Sequence, residues 1–234
     1  TTPIYYVNDS PHIGHAYTTL ACDVLARFKR LDGFDVKMLT GTDEHGQKVE
    51  NSAREAGVDP QAFTDKVSQN FRELADFMNF SHDDFIRTTE PRHHAATQDL
   101  WKRLKDAGFI YLGSYAGWYA VRDEAFYGEG ELIDGPNGKK VAPTGAEVEW
   151  VEEPSYFFKL SEMQERLLAF YDENPDFIAP QSRRNEVTSF VNGGLRDLSI
   201  SRTTFKWGVP VPGDEDHIMY VWLDALTNYM TGVG

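Results

Sequence analysis

TTPIYYVNDSPHIGHAYTTLACDVLARF, residues 1–28, decides how the rest of the chain is read. Ile4 to Val7 is a short apolar, aromatic and β-branched run, and Asn8 to Ser10 is turn material. From His12 the pattern becomes helical, with Leu20, Val24, Phe28 and Leu31 three or four residues apart. The spacing predicts a strand followed by a helix whose first turn carries His12 and His15. Ser10 is the expected cap, and Pro11 suits the first helical position, where a missing N–H costs nothing. The two histidines then share a face beside unpaired backbone N–H groups and the positive end of the helix dipole, a place where phosphate binds readily.

Outward from this stretch, strand and helix signals alternate. Gly33 stops the first helix, and Val36 to Leu39 reads as a second strand running into Thr40 to Gly46. Helices follow from about Val49 to Ala56 and from Pro60, the latter with Phe63, Val67, Phe71, Leu74 and Met78 on its apolar face. Phe85 to Thr88 reads as a strand, and Glu90 to Gly108 as a helix with Leu100, Leu104 and Ala107 inward. This alternation predicts an α/β fold with a doubly wound parallel sheet, whose ligands bind beyond the carboxyl ends of the strands. Both Asn8 to His15 and Thr42 to Gly46 fall at such ends.

From Gly113 to about Val151 the texture changes to glycines, aromatics and short runs, with a turn at Asp134 to Gly138. The expected division is residues 1–112 as the first half of the α/β domain, 113–185 as an inserted β-rich connective module, and 186–234 as the return to the domain. Ser161 with Gln164 forms a capping box, and Gln181 to Val191 is a further helix. Leu198 to Arg202 and Ile218 to Val221 resume strand character, and Trp222 to Met230 is helical.

With 234 residues, 41% hydrophobic and 13% aromatic, the chain can bury a sizeable core. It has no apolar run near the roughly 18 residues of a membrane span. One cysteine, Cys22, excludes an intrachain disulfide and is expected to be a small buried residue. With no secretory leader pattern, the cytoplasm is the natural compartment. A net charge of −14 argues against holding nucleic acid by bulk phosphate attraction, so any RNA contact would be local. The sequence opens without an initiator Met and stops just after a helical pattern, as expected of part of a longer protein.

Pro3 to Asn8 with Pro11-His12-Ile13-Gly14-His15, then Thr42-Asp43-Glu44-His45-Gly46 at the next strand end, resembles the class I aminoacyl-tRNA synthetases, and among them the methionine-activating family. Gly194 to Arg202 with Trp207 to Pro212, and Tyr220-Val221-Trp222-Leu223-Asp224-Ala225, agree with that resemblance. It covers the chain, weakening between about Gly113 and Glu153. It implies a Rossmann-like nucleotidyl transferase fold and a reaction in which the carboxylate of L-methionine attacks the α-phosphate of ATP, with Mg2+, before transfer to tRNA(Met). A carboxylate is already ionised at neutral pH, so the protein supplies positioning and charge stabilisation rather than a base.

The resemblance further implies roles. His12, Gly14 and His15, with Arg202, are expected to be catalytic, and His12, Ile13, Gly14 and His15 to bind ATP. Asp43 is expected to receive the methionine ammonium, with Ile4, Tyr6, Trp222, Ala225, Leu226 and Tyr229 around the side chain, where aromatic edges favour a polarisable thioether. From the residues alone, periodicity favours a core stripe for Trp222, Ala225, Leu226 and Tyr229, at i, i+3, i+4 and i+7, and an acid placed like Asp43 is most often a turn-maker.

Two departures from the family pattern stand out. Where many relatives carry Cys-x-x-Cys pairs for zinc, this chain has Ala120-Val121-Arg122-Asp123, so no thiolate-held zinc, and no metal site, is expected. A Lys-Met-Ser-Lys-Ser signature is absent, and Lys139-Lys140 has no serine beside it. Two other readings stay open at this point: a synthetase-like module that binds methionine or a partner without catalysis, and a metal-dependent hydrolase built on His12, His15, Asp43 and His45.

Overall fold

The computed structural model describes residues 1–123 and 125–234. The first half runs β1 (Tyr5–Tyr6), α1 (Ile13–Leu31), β2 (Leu39–Asp43), α2 (Gln47–Glu55), α3 (Pro60–Phe77), β3 (Asp84–Arg87) and α4 (Pro91–Asp106). β1, β2 and β3 form a parallel sheet in that order, with Tyr6 beside Asp43 and Thr42 beside Arg87. The alternation of strand and helix therefore yields the parallel sheet it predicts. Both singled-out stretches leave that sheet at its carboxyl end.

Three elements differ in register from the sequence reading. β2 begins at Leu39 rather than Val36, and after Leu39 its buried residues are not apolar. Thr40 and Thr42 are fully enclosed, and a Cβ on Gly41 would overlap the Ile86 carbonyl of β3. In α1 the buried residues are Thr19, Asp23 and Ala26, whereas Leu20, Val24, Phe28 and Leu31 are exposed. The inward face is set by hydrogen bonds: Tyr5 meets the Thr19 hydroxyl at 2.7 Å, and Asp23 accepts from the Ser81 N–H and hydroxyl at 2.6 Å each. In α4 the inward residues are His93, Thr97 and Trp101, while Ala107 is exposed.

α3 conforms to its signals. Asp59 caps it by accepting from the Gln61 N–H at 2.9 Å, Pro60 opens it, and Val67 and Phe71 are buried. Together with Val7, Val49 and Phe85 they form a cluster between the parallel sheet and its helices. Each such side chain contributes about 1.5–3 kcal/mol on burial.

The middle of the chain is built on β4 (Ile110–Ala120) and β8 (Glu149–Phe158), antiparallel over most of their length. β5 (Ala125–Tyr127) and β9 (Leu198–Ser199) flank them, in the order β5-β4-β8-β9. β6 (Ile133–Asp134) and β7 (Lys140–Val141) form a hairpin beyond, across the expected turn. α5 (Gln164–Glu173) and α6 (Gln181–Asn192) pack on each other. Ser161 does not cap α5: its hydroxyl donates to Asp197 at 2.6 Å, and the Gln164 amide oxygen accepts from the Leu195 N–H. β10 (Ser201–Arg202), β11 (Pro210–Val211) and β12 (Asp214–Met219) make a small antiparallel sheet. α7 (Val221–Leu226) and α8 (Asn228–Val233) meet at Thr227, which keeps helical angles, φ −66° and ψ −15°.

A core of Trp101, Ile110, Tyr156, Ile200, Val209 and Met219 joins α4 to the foot of the β4–β8 ribbon and to β12. The ribbon is thus anchored where it leaves the α/β core. Among the described residues, no helix is long and apolar enough to cross a membrane.

Candidate active site

The helix that carries the histidine pair is capped by one of the pair. α1 begins at Ile13, and its N-cap is His12, with φ −123° and ψ 177°, so the expectation of a Ser10 cap and Pro11 as first helical residue is corrected. The Gly14 N–H donates to His12 Nδ1 at 3.0 Å, and the His12 N–H donates to His15 Nδ1 at 3.0 Å. Two orphan donors of the helix end are satisfied reciprocally. Because both Nδ1 atoms accept, each neutral ring carries its proton on Nε2. The result is two Nε2–H donors on rings 3.9 Å apart, at a helix N-terminus.

Tyr5 and Phe71 hold His15, with ring centroids at 4.8 and 5.2 Å. Burial and the neighbouring His12 lower its pKa, so the ring is neutral at physiological pH. A Cβ on Gly14 would lie 2.9 Å from His12 Cε1, closer than real contacts allow, so any larger residue would push the cap aside. Ile13, His12 and Gly14 are exposed. The pair can donate to an anion through Nε2–H while both Nδ1 atoms stay on the helix cap.

At the end of β2, Asp43 is followed by two residues that turn inward and fix the loop. The fully buried Glu44 carboxylate accepts from Arg87 Nε at 2.7 Å and Nη2 at 2.9 Å, and from the hydroxyls of Thr42 and Thr89. The Trp207 indole donates to the Glu44 carbonyl at 2.6 Å, and the Tyr6 hydroxyl to the His45 carbonyl at 3.0 Å. Gly46 takes φ 100°, a conformation natural only to glycine.

Asp43 itself lines a cavity of about 220 Å³, with Tyr6 and His45 from the same strand ends. Tyr119 and Asp123 enter its wall from the end of β4 and the turn after it, and the Tyr119 hydroxyl donates to Gln47 of α2 at 3.2 Å. Phe205, Met219, Tyr220 and Trp222 complete the apolar side. Of the residues expected around methionine, the cavity thus brings together Tyr6, Asp43 and Trp222. Ile4, Ala225, Leu226 and Tyr229 are not among its lining residues, and Leu226 is exposed. Arg202 is buried: it donates to the Ser201 carbonyl at 2.8 Å and to the Ser199 hydroxyl, lies 3.4 Å from Glu153 and stacks 3.9 Å over the Tyr220 ring. No contact with either histidine is among these.

Two residues without a role in the sequence reading join this site. The Asp224 carboxylate, 2% exposed, takes His45 Nδ1 at 2.6 Å on one oxygen and His93 Nε2 at 2.8 Å on the other. Burial alone would raise the Asp224 pKa, but the two imidazoles hold it well below the usual carboxylate range. Burial would lower the His45 pKa, but Asp224, with Asp43 and Glu44 nearby, holds it above its ordinary value. The neighbouring His94 goes the other way: burial and the charge of His45 push it down to about 4. The available signal was a lone acid among apolar residues in Val221 to Leu226 and a histidine pair at a helix start.

Among the described residues, no group of three or more His, Cys, Asp or Glu side chains is placed to hold a metal ion. His45 points its Nδ1 at Asp224 instead, and the Nδ1 atoms of His12 and His15 serve the helix cap. At the turn where relatives were expected to carry thiolates, Asp123 accepts from the Tyr127 hydroxyl at 2.9 Å, the Thr144 hydroxyl and Arg122 Nε. Arg122 in turn donates to the Thr144 carbonyl at 2.7 Å. This is a hydrogen-bonded turn, and its donor set does not suit zinc.

The comparisons with known proteins agree with this geometry. The sequence model of the family described as tRNA synthetases class I (M) matches residues 1–234. The methionine–tRNA ligase of Rickettsia bellii is 64% identical over 234 residues, all of this chain and 45% of the relative. That of Mesorhizobium japonicum is 58% identical over the same span and share. The crystal structure of Mycobacterium tuberculosis methionyl-tRNA synthetase bound by methionyl-adenylate superposes with a TM-score of 0.92 at 56% identity, covering 100% of this chain and 46% of that one. The chain spans about half the length of the curated relatives it matches. Matched by that family model along all 234 residues, the chain belongs to the class I tRNA synthetases of the methionine group.

Proposed function

We propose that the protein is a methionine–tRNA ligase, and that this chain carries the histidine pair and the amino-acid subsite for activation of L-methionine by ATP. The observation that carries the reading is the cavity at the ends of β1 and β2, where Asp43 lies beside an apolar and aromatic wall that includes Tyr6, Met219 and Trp222, while the other two aspartates that line it, Asp123 and Asp224, are engaged by Tyr127 and Arg122 and by His45 and His93. An amino acid with an ammonium group and an unbranched thioether fits that combination: the carboxylate neutralises the ammonium, and the soft sulfur packs on aromatic edges. Ile4, Ala225, Leu226 and Tyr229, which lie off the cavity wall, are assigned to the same subsite on the family resemblance alone.

In the proposed reaction the methionine carboxylate attacks the α-phosphate, a bond to the bridging oxygen breaks, and pyrophosphate leaves. The Nε2–H groups of His12 and His15 donate to phosphate oxygens as charge moves through the transition state, with Ile13 and Gly14 beside them in the ATP subsite. Mg2+ would enter with ATP and neutralise phosphate charge, and Arg202, buried against Glu153 and Tyr220, is assigned to the phosphates on the family resemblance alone. The activated methionine passes to tRNA(Met), which is contacted mainly by parts outside these residues. A cytoplasmic location and a division at residues 112 and 185 are part of the proposal.

The test is ATP–pyrophosphate exchange by the full-length protein. Exchange that requires L-methionine is expected. Methionine binding without exchange would leave a non-catalytic module, and metal-dependent hydrolysis in place of exchange would overturn the reading.

A further inference from the structure

Asp224 sits on α7, a six-residue helix whose other members, Val221, Trp222, Leu223, Ala225 and Leu226, are all apolar. Burying a carboxylate there is unfavourable unless its charge is paired and its oxygens are hydrogen-bonded. The helix does not need it, since no side chain caps α7. Each Asp224 oxygen is instead taken by an imidazole from a distant segment. His45 lies two residues beyond Asp43 in the loop after β2, and His93 lies in the first turn of α4, just after β3. His93 is itself oriented on both sides, by the Thr97 hydroxyl at 3.2 Å and the Thr231 hydroxyl of α8 at 3.3 Å. One buried carboxylate thus joins two parallel-strand ends to the helix that carries Trp222.

We propose that Asp224 is a positioning residue for the amino-acid subsite: by holding His45 and His93 it sets the separation between Asp43 and Trp222. This rests on the methionine reading of the cavity. The ammonium contact comes from the segment of His45, and the side-chain contact comes from the helix of Asp224, two residues before it. The His45–Asp224 bond, at 2.6 Å, ties the two segments directly and so sets their spacing. The His12 and His15 pair lies on α1, outside this network, so the brace acts on methionine and not on the phosphates of ATP.

The test uses the full-length protein, with methionine-dependent exchange measured in wild type, Asp224→Asn and His93→Gln. Asp224→Asn keeps the shape of the side chain and removes the charge; His93→Gln changes a residue that is not on the cavity wall. Misplacement of a contact by an ångström costs about a hundredfold, so Asp224→Asn is expected to raise KM for methionine about tenfold to a hundredfold. His93→Gln should raise it in the same direction, and KM for ATP should change less than about threefold in both. Equal changes in the two KM values, or a loss confined to kcat, would show a merely structural carboxylate and overturn the proposal. A methionine effect of Asp224→Asn without one of His93→Gln would make Asp224 a direct contact and also overturn it. If Asp224→Asn does not fold, His93→Gln alone decides by the same split. A wild type without methionine-dependent exchange refutes the substrate reading itself, and the assignment falls with it.

Discussion

His12 performs two tasks that a single substitution can separate. Its Nδ1 caps α1 by accepting from the Gly14 N–H at 3.0 Å, and its Nε2–H is left to donate to a phosphate oxygen. Asparagine is a strong N-cap residue but brings no donor to the imidazole Nε2 position, whereas alanine supplies neither function. His12→Ala should therefore lose about 1 kcal/mol of helix capping, which in a domain of 150–250 residues is a fall in Tm of about 2–4 °C. His12→Asn should keep its Tm within about 1 °C of wild type by the same argument. Loss of one preorganised donor to developing charge costs about 10²–10³ in kcat, so both variants should lose that much in methionine-dependent pyrophosphate exchange. Calorimetry and exchange kinetics on the same full-length preparations make the comparison. The reasoning is refuted if asparagine lowers Tm as much as alanine does, or if exchange by His12→Asn stays within about threefold of wild type.

Asp43→Ala should weaken methionine binding measured without ATP by one to three orders of magnitude, since losing one partner of a buried charge pair costs about 2–5 kcal/mol. Methioninol, which keeps the ammonium and lacks the carboxylate, should weaken by a similar factor in calorimetric titration. A change under about threefold for both ligands would remove Asp43 from the ammonium site. His94 gives a pH dependence: its folded pKa, about 4, lies below the unfolded value of about 6.5. The unfolded chain therefore binds more protons between those values, and the stability tied to His94 is present above pH 6.5 and lost as pH falls toward 4. His94→Gln should flatten the Tm profile in that window, and an unchanged profile would contradict the assignment. The loss tied to Asp224, whose pKa is also lowered, begins only below its unfolded value of about 3.9.

The stretch from Ile4 to Leu31 and the recurrence of strand and helix after it were enough to place two strand-end loops at one edge of a parallel sheet, because apolar period and turn residues are local properties of the chain. His12, His15 and Asp43 were legible for the same reason: each lies within a few residues of a strand end that hydrophobic pattern marks. Which face of α1 turns inward was not legible, since Thr19 and Asp23 win their buried positions by hydrogen bonds to Tyr5 and Ser81, residues a periodicity count cannot pair with them. The cap at His12 was missed because an imidazole accepting a backbone N–H depends on a rotamer rather than on residue type. Asp224 and His93, 131 positions apart, show the limit most clearly. A buried carboxylate is tolerable only where charge partners converge on it in space, and that convergence is decided by the packing of α4, α7 and the loop after β2, not by any short run of sequence.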